Sequence, residues 1–134
     1  MRILLVEDDR AVVDQLRQVL KAMDGATLVH TAMNEQDACD WIAANPHGWD
    51  LALIDVFLSP GHGFKVLRQC AGRSAQQRVA LMSSYVRSPM RERALEAGAD
   101  AFIDKTQPDR LVDFCVGSLK RGPAAADSCP PEPS

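Results

Sequence analysis

Hydrophobic and polar positions along this chain of 134 residues follow two alternating rhythms. Nearly unbroken apolar runs stand at Ile3-Leu4-Leu5-Val6, Leu51-Ala52-Leu53-Ile54 and Val79-Ala80-Leu81-Met82. Such runs predict strands covered by helices on both faces, the condition of a parallel sheet. With two weaker segments they make five expected strands, at about residues 2–7, 26–31, 50–55, 78–83 and 101–104.

Between the strands the period becomes helical. Over about 9–23, Val12, Leu16, Val19, Leu20 and Met23 share one face with Val13 beside them, while Asp14, Arg17, Gln18 and Lys21 look away. Asn34 is placed to cap a second helix that carries Asp37 in its first turn, buries Ala38, Trp41 and Ile42, and stops at Asn45-Pro46. Phe64, Leu67 and Ala71 form the inner stripe expected for the third. Ser88-Pro89 opens the fourth and Gly98 closes it. Leu111, Cys115 and Leu119, with Val112 and Val116, drive the fifth against the sheet. Five strand-helix alternations predict an α/β fold: a doubly wound, five-stranded parallel sheet with five helices.

Composition narrows the picture. A profile of 46% hydrophobic and 25% charged residues is that of a globular domain, and no apolar run reaches membrane-spanning length. A net charge of -3 argues against a nucleic-acid surface as the main output, since phosphate contacts need clustered Lys and Arg. A cytoplasmic location is expected. Cys39, Cys70, Cys115 and Cys129 show no zinc-type spacing and read as small hydrophobes. After Arg121 the chain turns to Pro, Ala and Ser, so residues 1–120 are expected to form one domain and 121–134 a flexible tail.

The candidate chemistry lies at strand ends. Glu7 and Asp8 follow the first strand, Asp55 ends the third, Ser83 ends the fourth, and Lys105 follows the fifth, with Phe102 three residues before it. In a sheet of order 2-1-3-4-5 these ends open on one crevice, the place where open α/β sheets bind ligands. Converging carboxylates repel, and a hard, oxygen-preferring cation such as Mg²⁺ relieves them. Asp9 is placed to cap the first helix, Asp104 reads as a surface charge, and His62 lies in the loop beyond Asp55.

Taken in order, Ile3 to Asp9 (ILLVEDD), Asp50 to Asp55 (DLALID), Gly63 eight residues after Asp55, Val79 to Ser84 (VALMSS) and Gly98 to Lys105 (GADAFIDK) resemble the receiver domain of two-component response regulators, of the single-domain chemotaxis-regulator type. The resemblance implies a flavodoxin-like fold and a phosphoacceptor rather than a dedicated enzyme. Asp55 would take a phosphoryl group from a sensor histidine kinase or phosphotransfer protein. Mg²⁺ would be held by Asp8, by Glu7 through water, by Asp55 and by the backbone carbonyl of Phe57. Lys105 would pair with the phosphoryl group, Ser83 would move to bond it, and Phe102 would rotate with Ser83 as the switch. A downstream protein would then read a face formed by the fourth helix, fifth strand and fifth helix, and a homodimer through the fourth and fifth helices is compatible with the same face. Phe57 and Tyr85 occupy the two places where the family tunes acyl-phosphate hydrolysis, and their rings are expected to obstruct the attacking water.

Three departures stand out. Ser59 occupies the place of a frequent proline with Pro60 after it, Thr106 follows the lysine where a cis-proline is common, and Ser83 replaces a frequent threonine. None removes a reacting group. A haloacid-type phosphatase would want an acid where Phe57 stands, and a flavin or nucleotide binder would not place Glu7-Asp8-Asp9 in its phosphate loop. The remaining rival is a pseudo-receiver acting only as a protein-interaction module.

Overall fold

The five apolar segments become β1 (Arg2–Val6), β2 (Thr27–Ala32), β3 (Leu51–Asp55), β4 (Arg78–Ser83) and β5 (Ala101–Asp104). They pair in the order β2-β1-β3-β4-β5, every pair parallel. The structure, a computed structural model, describes residues 1–58, 61–84, 88–107 and 109–118. Helices α1 (Arg10–Lys21), α2 (Glu35–Ala44), α3 (Gly63–Gln69) and α4 (Ser88–Glu96) join the strands, and α5 covers 109–118. This is the doubly wound, flavodoxin-like sheet expected from the sequence. Tyr85, Leu119, the Ser59-Pro60 pair and the 121–134 tail lie outside the described residues.

Successive residues of a strand point to opposite faces, and the two cores sort accordingly. Ile3, Leu5, Leu51, Leu53, Ala80, Met82 and Ile103 pack with Val13, Leu16 and Leu20 of α1 and Leu111 and Cys115 of α5. Their neighbours Leu4, Val6, Ala52, Ile54, Val79, Leu81 and Phe102 pack with Ala38 and Ile42 of α2, Val66 and Leu67 of α3 and Ala94 of α4. Burial on both faces explains why β1 and β3 read as unbroken apolar runs.

Local chemistry sets the helix ends. Asp9 accepts from the Ala11 N–H and caps α1, and Asn34 accepts from the Asp37 N–H and caps α2. Gly98, at φ +108°, ends the turn after α4 in a conformation that L side chains rarely adopt.

One sequence expectation is refined and another corrected. In α1 the buried residues are Val13, Leu16 and Leu20, and Val12 and Met23 pack partly buried against the same core. In α3 the inner face is Val66, Leu67 and Cys70, whereas Ala71 is exposed. That helix stops at Gln69 with Cys70 as its C-cap, so the assumed stripe ran two residues past the helix. On the outer edge, β1 residues Ile3 and Leu4 pair with Leu28 and His30, so Val29 is an extra bulged residue. No described helix is long and apolar enough to cross a membrane.

Candidate functional site

Pairing of Val6 with Ile54 brings the C-terminal ends of β1 and β3 side by side. Glu7 stays in the ladder, its N–H donating to the Ala32 carbonyl at 3.0 Å, and its side chain is fully buried. Asp55 is 4% exposed, and Asp8 is half-buried at the rim. One carboxylate oxygen from each of Glu7, Asp8 and Asp55 lies within 4.8 Å of the others. Opposite them, the Lys105 N–H extends the ladder to the Ser83 carbonyl at 3.0 Å. Its Nζ sits 2.8 Å from Glu7 Oε1 and 3.2 Å from Asp55 Oδ2.

Burial and mutual repulsion show in the proton affinities. Burial pushes the Glu7 carboxyl up to about 7; the Lys105 ammonium opposes this and the neighbouring Asp55 adds to it. Burial works against the Lys105 charge as well, but hydrogen bonding to Glu7 and the fields of Asp55 and Glu7 outweigh it and raise its pKa. The pocket therefore carries more negative charge than one lysine balances.

The segment after Asp55 folds back tightly. The Phe57 N–H donates to Asp55 Oδ1 at 3.3 Å, Phe57 and His62 form an isolated antiparallel bridge, and the Gly63 N–H donates to the Val56 carbonyl at 2.7 Å. Any Cβ at Gly63 would collide with the Asp55 carbonyl oxygen, which is why a glycine opens α3 eight residues beyond Asp55. Phe57 itself is 53% exposed beside the acids.

Ser83 is fully buried at the end of β4. It shares the strand face of Val79 and Leu81, and Leu81 is the register partner of Phe102. Phe102 is 5% exposed, so its ring is turned inward, and the Arg91 guanidinium of α4 lies 5.8 Å from the ring centroid. Asp104 is more than a surface charge: it accepts from both the N–H and Oγ1 of Thr106 and shapes the turn after Lys105. His62 is the N-cap residue of α3 with no side-chain cap bond, and its ring meets Phe64 edge-on.

The residue set fits Mg²⁺. Three converging carboxylates supply hard oxygen donors, and Lys105 alone leaves their charge uncompensated. Sequence reasoning missed Glu35, which reaches the Asp55 loop from α2, and Arg91, which covers Phe102 from α4. Neither carries a local signal, because both act on residues of other elements.

Comparison with known proteins agrees with this geometry. The family model for the response regulator receiver domain matches residues 3–115. The response regulator UvrY of Escherichia coli K12 is 24% identical over 122 residues, covering 91% of this chain and 55% of that protein. A protein-glutamate methylesterase/protein-glutamine glutaminase of Myxococcus xanthus is 30% identical over 142 residues, covering all of this chain and 40% of its own length. The chain thus spans about half the length of the curated relatives it matches. Among solved structures, the receiver domain of a NarL-type regulator from Mycobacterium tuberculosis superposes with a TM-score of 0.77 at 22% identity, over 89% of this chain and 95% of that one. The CheX-CheY-BeF₃-Mg²⁺ complex of Borrelia burgdorferi gives a TM-score of 0.73 at 21% identity, over 87% and 89%. Fold, strand-end chemistry and a family match across most of the chain agree, and this protein belongs to the response regulator receiver domain family.

Proposed function

We propose that residues 1–120 form a receiver that accepts a phosphoryl group on Asp55, in the cytoplasm, from a sensor histidine kinase or phosphotransfer protein. The observation that carries this reading is the convergence of Glu7, Asp8 and Asp55 opposite Lys105. One oxygen of Asp55 attacks the phosphorus of the donor's phosphohistidine. The P–N bond breaks, and the imidazole leaves with the bonding pair and takes up a proton. Phosphoryl transfer of this kind needs chiefly positioning and charge neutralisation. The Phe57 N–H fixes one Asp55 oxygen, and the Lys105 ammonium meets the incoming phosphoryl oxygens. Glu7, Asp8, Asp55 and the Phe57 carbonyl would hold Mg²⁺, which when bound neutralises charge on the phosphoryl oxygens and on the acids. A transferred group drawing Ser83 toward it would shift the packing of Phe102 and so the α4–β5–α5 face, the surface a downstream protein reads.

Incubation with acetyl phosphate and Mg²⁺ tests the reading. The expected result is an acid-stable, base-labile phosphoryl adduct on Asp55 that is absent from Asp55→Asn and strongly reduced in Lys105→Ala. Beryllofluoride should raise thermal stability only when Mg²⁺ is present. No adduct and no Mg²⁺-dependent stabilisation would favour the pseudo-receiver reading instead.

A further inference from the structure

Glu35 is the first residue of α2, twenty positions before Asp55 in sequence, yet its carboxylate reaches the loop that follows Asp55. Oε1 accepts the His62 N–H at 3.1 Å, and Oε2 lies 4.0 Å from Lys65 Nζ. The carboxylate is well covered, with 23% of the side chain exposed. Gly61 stands at φ +98°, and a Cβ there would fall 2.5 Å from both the Cβ and Oε1 of Glu35. The glycine therefore meets two demands, a left-handed backbone and room for this side chain. His62 in turn bridges Phe57, and the Gly63 N–H holds the Val56 carbonyl.

Glu35, His62 and Phe57 thus form one mechanical series. We propose that Glu35 is a positioning residue for the metal site: by holding the His62 N–H it fixes the returning limb of the loop, and through the bridge it sets the height of the Phe57 carbonyl above Asp55. This rests on the metal-site reading given above. The acceptor oxygen and its reach do the work, and the negative charge of Glu35 is incidental. The cause is local rigidity. A short bridge held in part by one side-chain acceptor loosens when that acceptor is removed, and a loosened carbonyl is a poorer ligand.

Mg²⁺ titration followed by calorimetry, on the whole chain, tests this with three variants. Glu35→Gln keeps an acceptor at full reach and should bind Mg²⁺ within about twofold of wild type. Glu35→Ala and Glu35→Asp, which remove the acceptor or shorten its reach, should weaken binding by about tenfold, the lower end of the loss seen when groups supporting metal ligands are removed. Amide exchange should quicken at His62 and Gly63 in those two variants and stay unchanged in β3 and β4. That pattern separates a local tether from general destabilisation, and Glu35→Gln with Glu35→Asp decides the matter even where the alanine variant folds poorly. Wild-type affinity in Glu35→Asp, or loss in Glu35→Gln with retention in Glu35→Asp, would overturn the tether while Asp8→Asn still abolished binding. Absence of Mg²⁺ binding by the wild type would overturn the metal-site reading and the tether together.

Discussion

Lys105 and Glu7 are joined at the floor of the pocket, with Nζ 2.8 Å from Oε1, and the same ammonium touches Asp55 at 3.2 Å. Before any ligand arrives, the lysine is the countercharge of two buried acids. Lys105→Ala should therefore destabilise the metal-free protein by about 2 kcal/mol, less than the usual loss for a broken buried pair because Glu7 can take a proton. Mg²⁺ should then restore more stability to the variant than it adds to the wild type. Equal melting shifts in EDTA and in Mg²⁺ for the two proteins would contradict this.

Glu7 makes stability depend on pH. Its folded-state pKa is raised from 4.5 to about 7, so the folded chain holds the proton in a range where the unfolded chain has released it. The Glu7 contribution is then complete below 4.5 and is lost as pH rises through 7. In EDTA, denaturant titrations should show a loss on the order of 2 kcal/mol between about pH 5 and about pH 8, and Glu7→Gln should flatten that part of the slope. Mg²⁺ affinity should fall as pH drops below neutrality, because the metal and the proton compete for one carboxylate.

Gly63→Ala puts a methyl into the Asp55 carbonyl. Because backbone must move on one side or the other, a cost of about 2 kcal/mol is expected, with slower phosphorylation at Asp55. Unchanged melting and an unchanged rate with acetyl phosphate would show that α3 can shift without moving Asp55.

Arg91 and Phe102 offer a test of the switch. A guanidinium 5.8 Å from the ring centroid favours the inward ring. If that orientation is coupled to phosphorylation, Arg91→Ala should weaken Mg²⁺-beryllofluoride binding by about threefold, in keeping with an exposed cation–π contact. The effect should vanish in a Phe102→Ala background, and an additive double mutant would sever the connection.

If the half-exposed ring of Phe57, two residues beyond Asp55, shields an acyl phosphate, it obstructs the attacking water. Phe57→Asn should shorten the lifetime of the phosphorylated protein severalfold, as followed by loss of radiolabel. Slower or equal decay would exclude a shielding role for the ring.

Much of this was legible in the chain because buried parallel strands leave an unmistakable record. The runs ending at Val6, Ile54 and Met82 locate three strand tips within a residue or so, and the candidate residues Glu7, Asp55 and Ser83 sit on those tips. The short third helix was harder to read. Gly63–Gln69 offers fewer than two full turns, too little for periodicity to separate Val66 and Cys70 from Ala71. Adjacent valines at 12 and 13 gave the same ambiguity in α1, settled only by packing against the sheet. Glu35 and Arg91 were invisible for a different reason, since a polar residue in a first turn or on a helix face acquires its partner only when distant segments meet.

Strand parity has one more implication. Asp55 and Lys105 continue the alternation of Leu53 and Ile103, on the layer of α1 and α5, whereas Ser83 and Phe102 belong with Leu81 on the layer of α4. Asp55 and the Ser83–Phe102 pair therefore stand on opposite sides of a single wall. If Asp55 is phosphorylated, a signal from it to the α4 layer needs to cross only the thickness of that wall, at β4 and β5. A one-residue insertion within β4 would reverse the faces of the residues after it and part Ser83 from the layer it shares with Phe102.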